Sequence, residues 1–286
     1  MARAPAAADM VVYTDLDGTL LDHHDYSHAA AGPALDLLRR RGIPLVLTSS
    51  KTFPELAELA ATLGFDSPVI GENGAFVAWP TTFDLPAEWD SEASGYRFRH
   101  FGRGHDEILD ILQRLRREGG FRFVGFSDWR DDEVAAETGL DLAAAARAKQ
   151  RQASEPIRWL GDDAELAAFR RALARQGLTL VRGGRFFHVM GQTSKGAALR
   201  WLHERLEQRA GRRLRAVALG DGPNDVDMLE AADIAVVVAN PDSPPIAPRA
   251  ERVVETTLPG PAGWNEAMLG LLQDENDNLD KQGKRA

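Results

Sequence analysis

The sequence predicts an α/β protein in which a parallel-sheet core carries an α+β insertion. Three observations carry this expectation. Short apolar, β-branched runs (residues 11–14, 43–47, 68–71, 214–219 and 234–238) each end in a polar loop, as buried strands of a parallel sheet do. Helical patterns lie between them, which is the alternation that builds such a sheet. Near Pro80 the texture changes to strand-like runs mixed with amphipathic helices, and the parallel pattern returns near residue 190. The expected division is a core of residues 1–80 and 190–286, with residues 81–189 as the insertion.

A chain of 286 residues, 44% hydrophobic and 27% charged, has ample material for one large domain or two modest ones. It contains no cysteine, which excludes disulfides, thiolate metal sites and cysteine nucleophiles. The net charge of −9 argues against a nucleic-acid partner. It also means that an anionic substrate must be drawn in by local cations. Residues 1–9 are Ala/Pro-rich without a signal-peptide core, and no run approaches the ~18 apolar residues of a membrane span. A cytoplasmic protein with no membrane partner is expected by default, and its oligomeric state stays open.

Taken in order, the first strand runs into Asp15-Leu16-Asp17-Gly18-Thr19. Side chains two apart at a strand end point the same way, so Asp15 and Asp17 are expected to face one small volume. Gly18 permits a sharp turn and close approach to a ligand. Converging acids repel unless a cation or a shared proton lies between them, which suits a Mg²⁺ site where one carboxylate also attacks. After a helix over 32–41, the second strand leads into Thr48-Ser49-Ser50-Lys51-Thr52. Hydroxyls and a lysine just before a helix suit phosphate binding, and Thr52 with Glu55 makes a capping box for that helix. The third strand ends in Glu72-Asn73-Gly74-Ala75. Ligands of such sheets bind beyond the carboxyl ends of the strands, where all these loops lie.

Within the insertion, strands are expected at 96–101, 121–126, 157–160 and 178–182, and helices at 105–117 and 162–176. The second helix opens with an Asp162/Glu165 capping box. Residues 132–151 are Ala-rich and helical, broken at Gly139. The insertion closes with Arg182-Gly183-Gly184-Arg185-Phe186-Phe187-His188, an aromatic strand flanked by cations and a glycine turn. His188, taken alone, reads as a core histidine. Thr193-Ser194-Lys195-Gly196 then opens a helix over 197–209. A lysine in the first turn opposes the helix dipole. An anion at the helix start would remove that conflict, so Lys195 is expected to be functional. The next strand ends in Gly220-Asp221-Gly222-Pro223-Asn224-Asp225, and Gly260-Pro261-Ala262-Gly263-Trp264 turns into a last amphipathic helix. Residues 273–286 are polar and expected to fray.

The order of Asp15 to Thr19, a strand ending at Ser49, Lys195 at a helix start, and Gly220 to Asp225 resembles the haloacid dehalogenase superfamily of phosphohydrolases. The insertion between the second and third of these motifs is similar to the large α+β cap of type C2B. The resemblance spans essentially the whole chain and implies a Rossmann-like core. Ser49 to Thr52, Glu72 to Ala75, Ser154-Glu155-Pro156-Ile157, Gly183 to Val189 and Gly260 to Trp264 together look like the mannosyl-3-phosphoglycerate phosphatase family. Cap-bearing relatives generally have Thr-Gly-Arg where this chain has Ser49-Ser50-Lys51, which favours the narrower family.

The resemblance implies an aspartyl-phosphate mechanism. Asp15 would be the nucleophile. Asp17 would protonate the leaving oxygen and later activate water, a role that needs a pKa raised by burial beside another carboxylate. Mg²⁺ would be held by the Asp15 side chain, the Asp17 carbonyl and Asp221. Ser49 and Lys195 would hold the phosphate oxygens, while Asn224 and Asp225 would orient Lys195 and metal waters. The substrate would be a small phosphorylated sugar. Ser50, Lys51 and Asn73 on the core side, with Gln150, Arg151, Ser154, Glu155, Arg185 and His188 on the cap, would bind it. Arg185 and His188 are assigned to the glycerate carboxylate. Glucosyl-3-phosphoglycerate or another phosphosugar is the alternative substrate, and a non-catalytic phosphosugar-binding protein is the alternative from another class.

Overall fold

The computed structural model describes residues 9–183 and 185–283, with the side chains of 275–283 excepted. The expectations for residues 1–8, for Gly184 and for residues 284–286 lie outside the described residues. Strand β1 (Met10–Thr14) is followed by α1 (Gly32–Arg41), β2 (Leu45–Thr48), α2 (Phe53–Leu63) and β3 (Val69–Gly71). Three further strands follow: β4 (Phe76–Pro80), β5 (Ser91–Ala93) and β6 (Tyr96–His100). Next come α3 (His105–Gly119), β7 (Phe123–Gly125), α4 (Asp131–Thr138), α5 (Leu142–Ala148), β8 (Ser154–Trp159), α6 (Asp163–Arg175), β9 (Leu178–Arg182) and β10 (Phe187–Gly191). The chain ends with α7 (Lys195–Ala210), β11 (Arg215–Gly220), α8 (Val226–Glu230), β12 (Ile234–Ala239), β13 (Arg252–Pro259) and α9 (Gly260–Gly283).

A nine-stranded sheet has the order β13-β12-β11-β1-β2-β3-β4-β6-β5. It is parallel from β13 to β3 and antiparallel beyond. Strand β1 shows why apolar runs fill its centre. Met10 and Val12 pack with α1, α2 and α9 on one face, while Val11 and Tyr13 pack with α7 and α8 on the other. A strand covered on both faces has no polar side to alternate with. The second sheet, antiparallel with order β7-β8-β10-β9, buries one face under α3 and α6 through Ile108, Ile157, Phe169 and Leu173.

The two expected capping boxes are present: the Asp162 carboxylate accepts from the Glu165 N–H at 2.8 Å, and Glu55 accepts from the Thr52 N–H at 2.8 Å. Gly139, at φ +79°, separates α4 from α5. Three expectations change. Strand β6, read as part of the insertion, belongs to the nine-stranded sheet. The reason is that β4 is wholly buried and needs a partner for its outer backbone edge, and Phe98 of β6 packs on Phe53 with ring centroids 4.8 Å apart. Strand β8 starts at Ser154 rather than 157. The C-terminal helix continues to Gly283 where fraying was expected from 273.

The Gly260–Trp264 turn has a structural purpose. A Cβ on Gly263 would lie 1.9 Å from the Leu258 carbonyl oxygen, so α9 can start against the end of β13 only with glycine there. The turn delivers Trp264, fully buried, to the end of β1, where its Nε1–H donates to Thr14 Oγ1 at 3.0 Å. Thr14 in turn donates to the Asp15 carbonyl at 2.7 Å. Replacing Trp264 with Phe removes this donor and part of a buried volume. Stability should fall by roughly 1–3 kcal/mol, read as a shift of the urea midpoint with an unchanged slope.

Candidate active site

Strand register gathers the site. Thr14 of β1 lies beside Leu219 of β11 and Leu47 of β2, so the residues after these strands emerge together. Asp15, Ser49 and Asp221 are thereby brought to one edge of the sheet, and the Asp15 N–H donates to the Leu219 carbonyl at 2.9 Å. Gly18, at φ +82°, passes so close to Asp221 that a Cβ would sit 2.9 Å from its Oδ2.

Lys195, 1% exposed, stands at the start of α7 and donates to Asp15 Oδ1 at 2.7 Å and Asp225 Oδ1 at 2.6 Å. These carboxylates are the anions that its place in the first helical turn calls for. Burial alone would strip the Lys195 proton, but Asp15 and Asp225 more than offset it and push its pKa up. Burial and the nearby Asp225 raise Asp15 well above the usual carboxylate range, with Lys195 opposing. Asp221 is raised by burial and by Asp225 against bonds from Thr19 and Asn240. Those bonds are 2.6 Å each, from the Thr19 hydroxyl to Oδ1 and the Asn240 amide to Oδ2. Thr19 and Asn240 were not singled out in the sequence; Thr19 is within the Asp15 to Thr19 motif, whereas Asn240 carries no local signal. Asp225 is a tether, with Oδ1 on Lys195 and Oδ2 accepting the N–H groups of Asp221 and Gly222 at 3.1 and 3.2 Å. Asn224 reaches Asp225 at 3.5 Å.

Oxygens of Asp15, Asp221 and Asp225 lie within 4.8 Å of one another. Three carboxylates therefore face one ammonium, with neither histidine nor cysteine in the trio. That excess of negative charge on oxygen donors fits a hard divalent cation. The Asp17 carboxylate is outside the trio. It is not buried beside a second acid as expected: its side chain is 39% exposed and meets Lys51 Nζ at 2.9 Å. The charge of Asp17 raises the Lys51 pKa against the opposing effect of burial. Ser49 is buried, and its Oγ accepts the Lys51 N–H at 3.3 Å. Asn73 is buried at φ +58° with Oδ1 unpartnered, and its N–H donates to the Ser49 carbonyl at 2.9 Å.

The second sheet contributes differently from the expectation. Arg185 is exposed and donates to the Thr138 carbonyl at the end of α4, at 2.7 Å. Arg151 is the guanidinium at the core: its Nη1 donates to the Ser50 carbonyl at 2.7 Å, and its Nε to Ala148 at 2.8 Å. His188 is buried with Nδ1 unpartnered, and burial with the charges of Arg151 and Lys195 lowers its pKa to about 3. It is a neutral ring near neutral pH, so it offers hydrogen bonds and no charge. Gln150 is exposed and bonds back to Ala146 at 3.4 Å. Glu155 is internal to the insertion, with Oε1 accepting from Ser127 Oγ at 2.7 Å and Oε2 facing His105 Nε2 at 2.8 Å. Ser154 donates to the Glu72 carboxylate at 2.6 Å. Arg185, Gln150, Ser154 and Glu155 are thus engaged elsewhere, while Arg151 stands at the Ser50 carbonyl and His188 stands where Arg151 and Lys195 act on it.

A family model described as haloacid dehalogenase-like hydrolase matches residues 12–86 and 161–257. Over 271 residues the chain is 37% identical to a glucosyl-3-phosphoglycerate/mannosyl-3-phosphoglycerate phosphatase of Methanococcoides burtonii, across 93% of this chain and 98% of that protein. Its fold is similar to that of a phosphatase of the haloalkanoate enzyme superfamily from Bacteroides thetaiotaomicron, with TM-score 0.59 and 19% identity over 94% of this chain and 97% of that one. A subclass IIB sugar phosphatase is similar at TM-score 0.59 and 16% identity, over 92% and 98% of the two chains. The chain belongs to the haloacid dehalogenase-like hydrolases and is a phosphatase of that type. The reading as a non-catalytic binding protein is set aside.

Lys195→Met should destabilise the fold by roughly 3–5 kcal/mol near neutral pH, because it leaves buried carboxylates without their cation. Without the ammonium the folded-state pKa of Asp15 rises further above its unfolded value. The folded form then binds more protons, so the loss should grow as pH rises from 5 to 8. Urea denaturation of both proteins at each pH measures it, and a pH-independent difference would contradict the arrangement.

Proposed function

We propose that this phosphatase hydrolyses mannosyl-3-phosphoglycerate to mannosylglycerate and phosphate. The observation that carries the reading is Arg151, held at the core loop that contains Ser49 and Lys51. A phosphate bound in the core would present a neighbouring glycerate carboxylate to this guanidinium, whose planar fork matches it. The name of the Methanococcoides relative supports the substrate class. That name also includes glucosyl-3-phosphoglycerate, which keeps the glucosyl ester as the second reading.

In this mechanism Asp15 attacks phosphorus and the ester P–O bond breaks. Asp17 gives its proton to the leaving glycerate oxygen once Lys51, its ion-pair partner in the free site, has turned to the phosphate. It then takes one from the water that cleaves the aspartyl-phosphate, and Asp15 is restored. Ser49, Lys51 and Lys195 bind the phosphate oxygens, where charge collects during transfer. Asp15, Asp221 and the Asp17 carbonyl would hold Mg²⁺, which when bound neutralises phosphate charge. The four-stranded sheet and its helices, residues 105–191, serve as the substrate-selecting cap, with Arg151 and His188 as its contributions. Among the described residues no helix is long and apolar enough to cross a membrane. A doubly anionic ester does not cross lipid unaided, which supports a cytoplasmic site of action.

A turnover screen over mannosyl- and glucosyl-3-phosphoglycerate, simple hexose phosphates and an aryl phosphate tests the reading by released phosphate. The glycerate esters should be preferred, chelation should abolish turnover, and Mg²⁺ should restore it. Preference for hexose phosphates would overturn the substrate, and rescue by Zn²⁺ alone would overturn the oxygen-donor metal site.

Arg151→Ala should lower kcat/KM for the glycerate ester roughly 10- to 150-fold, the loss expected for one charge-assisted bond. Hydrolysis of an aryl phosphate should change much less. Arg185→Ala should leave the ratio of the two substrates near that of the wild type. The reverse pattern would return the carboxylate to Arg185.

A further inference from the structure

Glu72 occupies an unusual backbone position. Its φ is +48°, that of Asn73 is +58° and that of Gly74 is +91°, so two successive non-glycine residues hold the left-handed conformation. Glycine would adopt it without strain, yet the chain carries a glutamate there. Its side chain supplies the reason. The carboxylate is fully buried, and among the described residues no cation pairs with it. Its oxygens accept three bonds from the segment leading into β8: Gln152 N–H to Oε1 at 2.8 Å, Ala153 N–H to Oε2 at 3.1 Å, and Ser154 Oγ–H to Oε2 at 2.6 Å.

The same loop holds the phosphate side of the site through its backbone. Glu72 N–H donates to the Lys51 carbonyl at 3.0 Å and Asn73 N–H to the Ser49 carbonyl at 2.9 Å. The carbonyl between them, Ser50, is taken by Arg151, from the segment that Glu72 pins. Three consecutive carbonyls, at 49, 50 and 51, are therefore bound by two parts of one closed ring. Other ties also join the second sheet's helices to the core, with Arg147 Nε 2.9 Å from Glu58 Oε2 and the Thr52 hydroxyl 3.0 Å from the Arg147 carbonyl. Loss of the Glu72 carboxylate would thus loosen the register of residues 151–154 without releasing the insertion as a whole.

We propose that Glu72 is a positioning residue for substrate selection: its carboxylate fixes residues 152–154 against the core so that Arg151 stands over the 49–51 loop. This rests on the reading of Arg151 as the group that meets the substrate's carboxylate, and deepens it. Planar recognition by a guanidinium tolerates displacements well under an ångström, which a free segment does not guarantee. The backbone bonds from residues 72 and 73 to the phosphate loop do not involve the Glu72 side chain. Hydrolysis of a phosphate ester without a carboxylate therefore does not depend on it.

The test uses the intact enzyme with p-nitrophenyl phosphate as substrate. The competing inhibitors are 3-phosphoglycerate, which carries a carboxylate beside its phosphate, and glycerol 3-phosphate, which lacks one. In the wild type 3-phosphoglycerate should be the stronger inhibitor, and Arg151→Ala should abolish the difference. Glu72→Ala should weaken inhibition by 3-phosphoglycerate roughly 10-fold, a coupling within the range for residues in one network. It should leave inhibition by glycerol 3-phosphate and kcat for the aryl ester within about threefold, the scatter of unrelated changes. Glu72→Gln, with one acceptor oxygen, should fall between, and Ser154→Ala should shift in the same direction by less. These milder variants carry the test if Glu72→Ala does not fold. In the Arg151→Ala background Glu72→Ala should add nothing. Losses that multiply in the double variant, or a fall in kcat matching the loss of 3-phosphoglycerate binding, overturn the proposal. A wild-type enzyme without preference for 3-phosphoglycerate would overturn the Arg151 reading itself. A preference lost in Arg151→Ala but kept in the Glu72 variants would overturn the Glu72 role alone.

Discussion

One ammonium group, that of Lys195, stands between carboxylates in a place almost closed to water, and the layout of the core serves to keep it there. A lone charge so buried would give up its proton, and a lone pair of acids would take one up. Together they offset one another's burial, because Asp15 and Asp225 reach Lys195 at hydrogen-bond distance. Three elements must then meet at fixed spacing: the end of β1, the start of α7 and the turn after β11. The N-terminus of α7 is set by the Ser194 hydroxyl, which accepts the Ala197 N–H, and by Thr193, which donates to the Gly74 carbonyl at 2.9 Å. Gly196 and Gly220 permit the approach, since a Cβ would lie 2.2 Å from the Asp227 carbonyl oxygen at the first and 2.5 Å from the Asp225 Cβ at the second.

The cluster does not neutralise itself. Asp15, Asp221 and Asp225 share one ammonium, and burial first, with the charge of Asp225 second, raises the pKa values of Asp15 and Asp221. Structural demand alone would favour replacing one of these acids with an amide. A surplus of negative charge kept in a buried place is useful where a cation and a phosphate arrive together, because the phosphate alone would be repelled.

The parallel strands were legible because each is a short apolar run with a polar end, and burial on both faces removes the alternation that would confuse them. The capping boxes at Thr52 and Asp162 were legible because they depend on residues three apart. Strand β13 was not, since six of its eight residues are exposed at the sheet's edge and the other two only half-buried, so its pattern resembles that of a loop. The membership of β6 was hidden for another reason: a strand's pattern fixes which face is buried but not which sheet supplies its partner. The carboxylate role expected of Arg185 rests on its place between glycines and aromatics, and the structure shows its guanidinium on the last carbonyl of a neighbouring helix. Arg151 carries no such local mark. The three residues after it bond to Glu72, which is 80 to 82 positions away in the chain.

Charge and specificity therefore separate in this molecule. The net charge of −9 opposes an anionic substrate at long range, but at physiological salt that field decays over roughly 8 Å. Within the proposed site the contacts of Lys51, Arg151 and Lys195 would dominate. A cation attracts any phosphate, so charge alone distinguishes little among phosphate esters. Discrimination depends on where a second cation stands relative to the first, and on the proposed reading that distance is set by hydrogen bonds to the Glu72 carboxylate and the Ser50 carbonyl. The N–H groups of residues 152 and 153, the Ser154 hydroxyl and the carbonyl of Ser50 hold Arg151 in place. Such bonds are directional and short-ranged, which suits them to fixing geometry in a way that the attraction between ions does not.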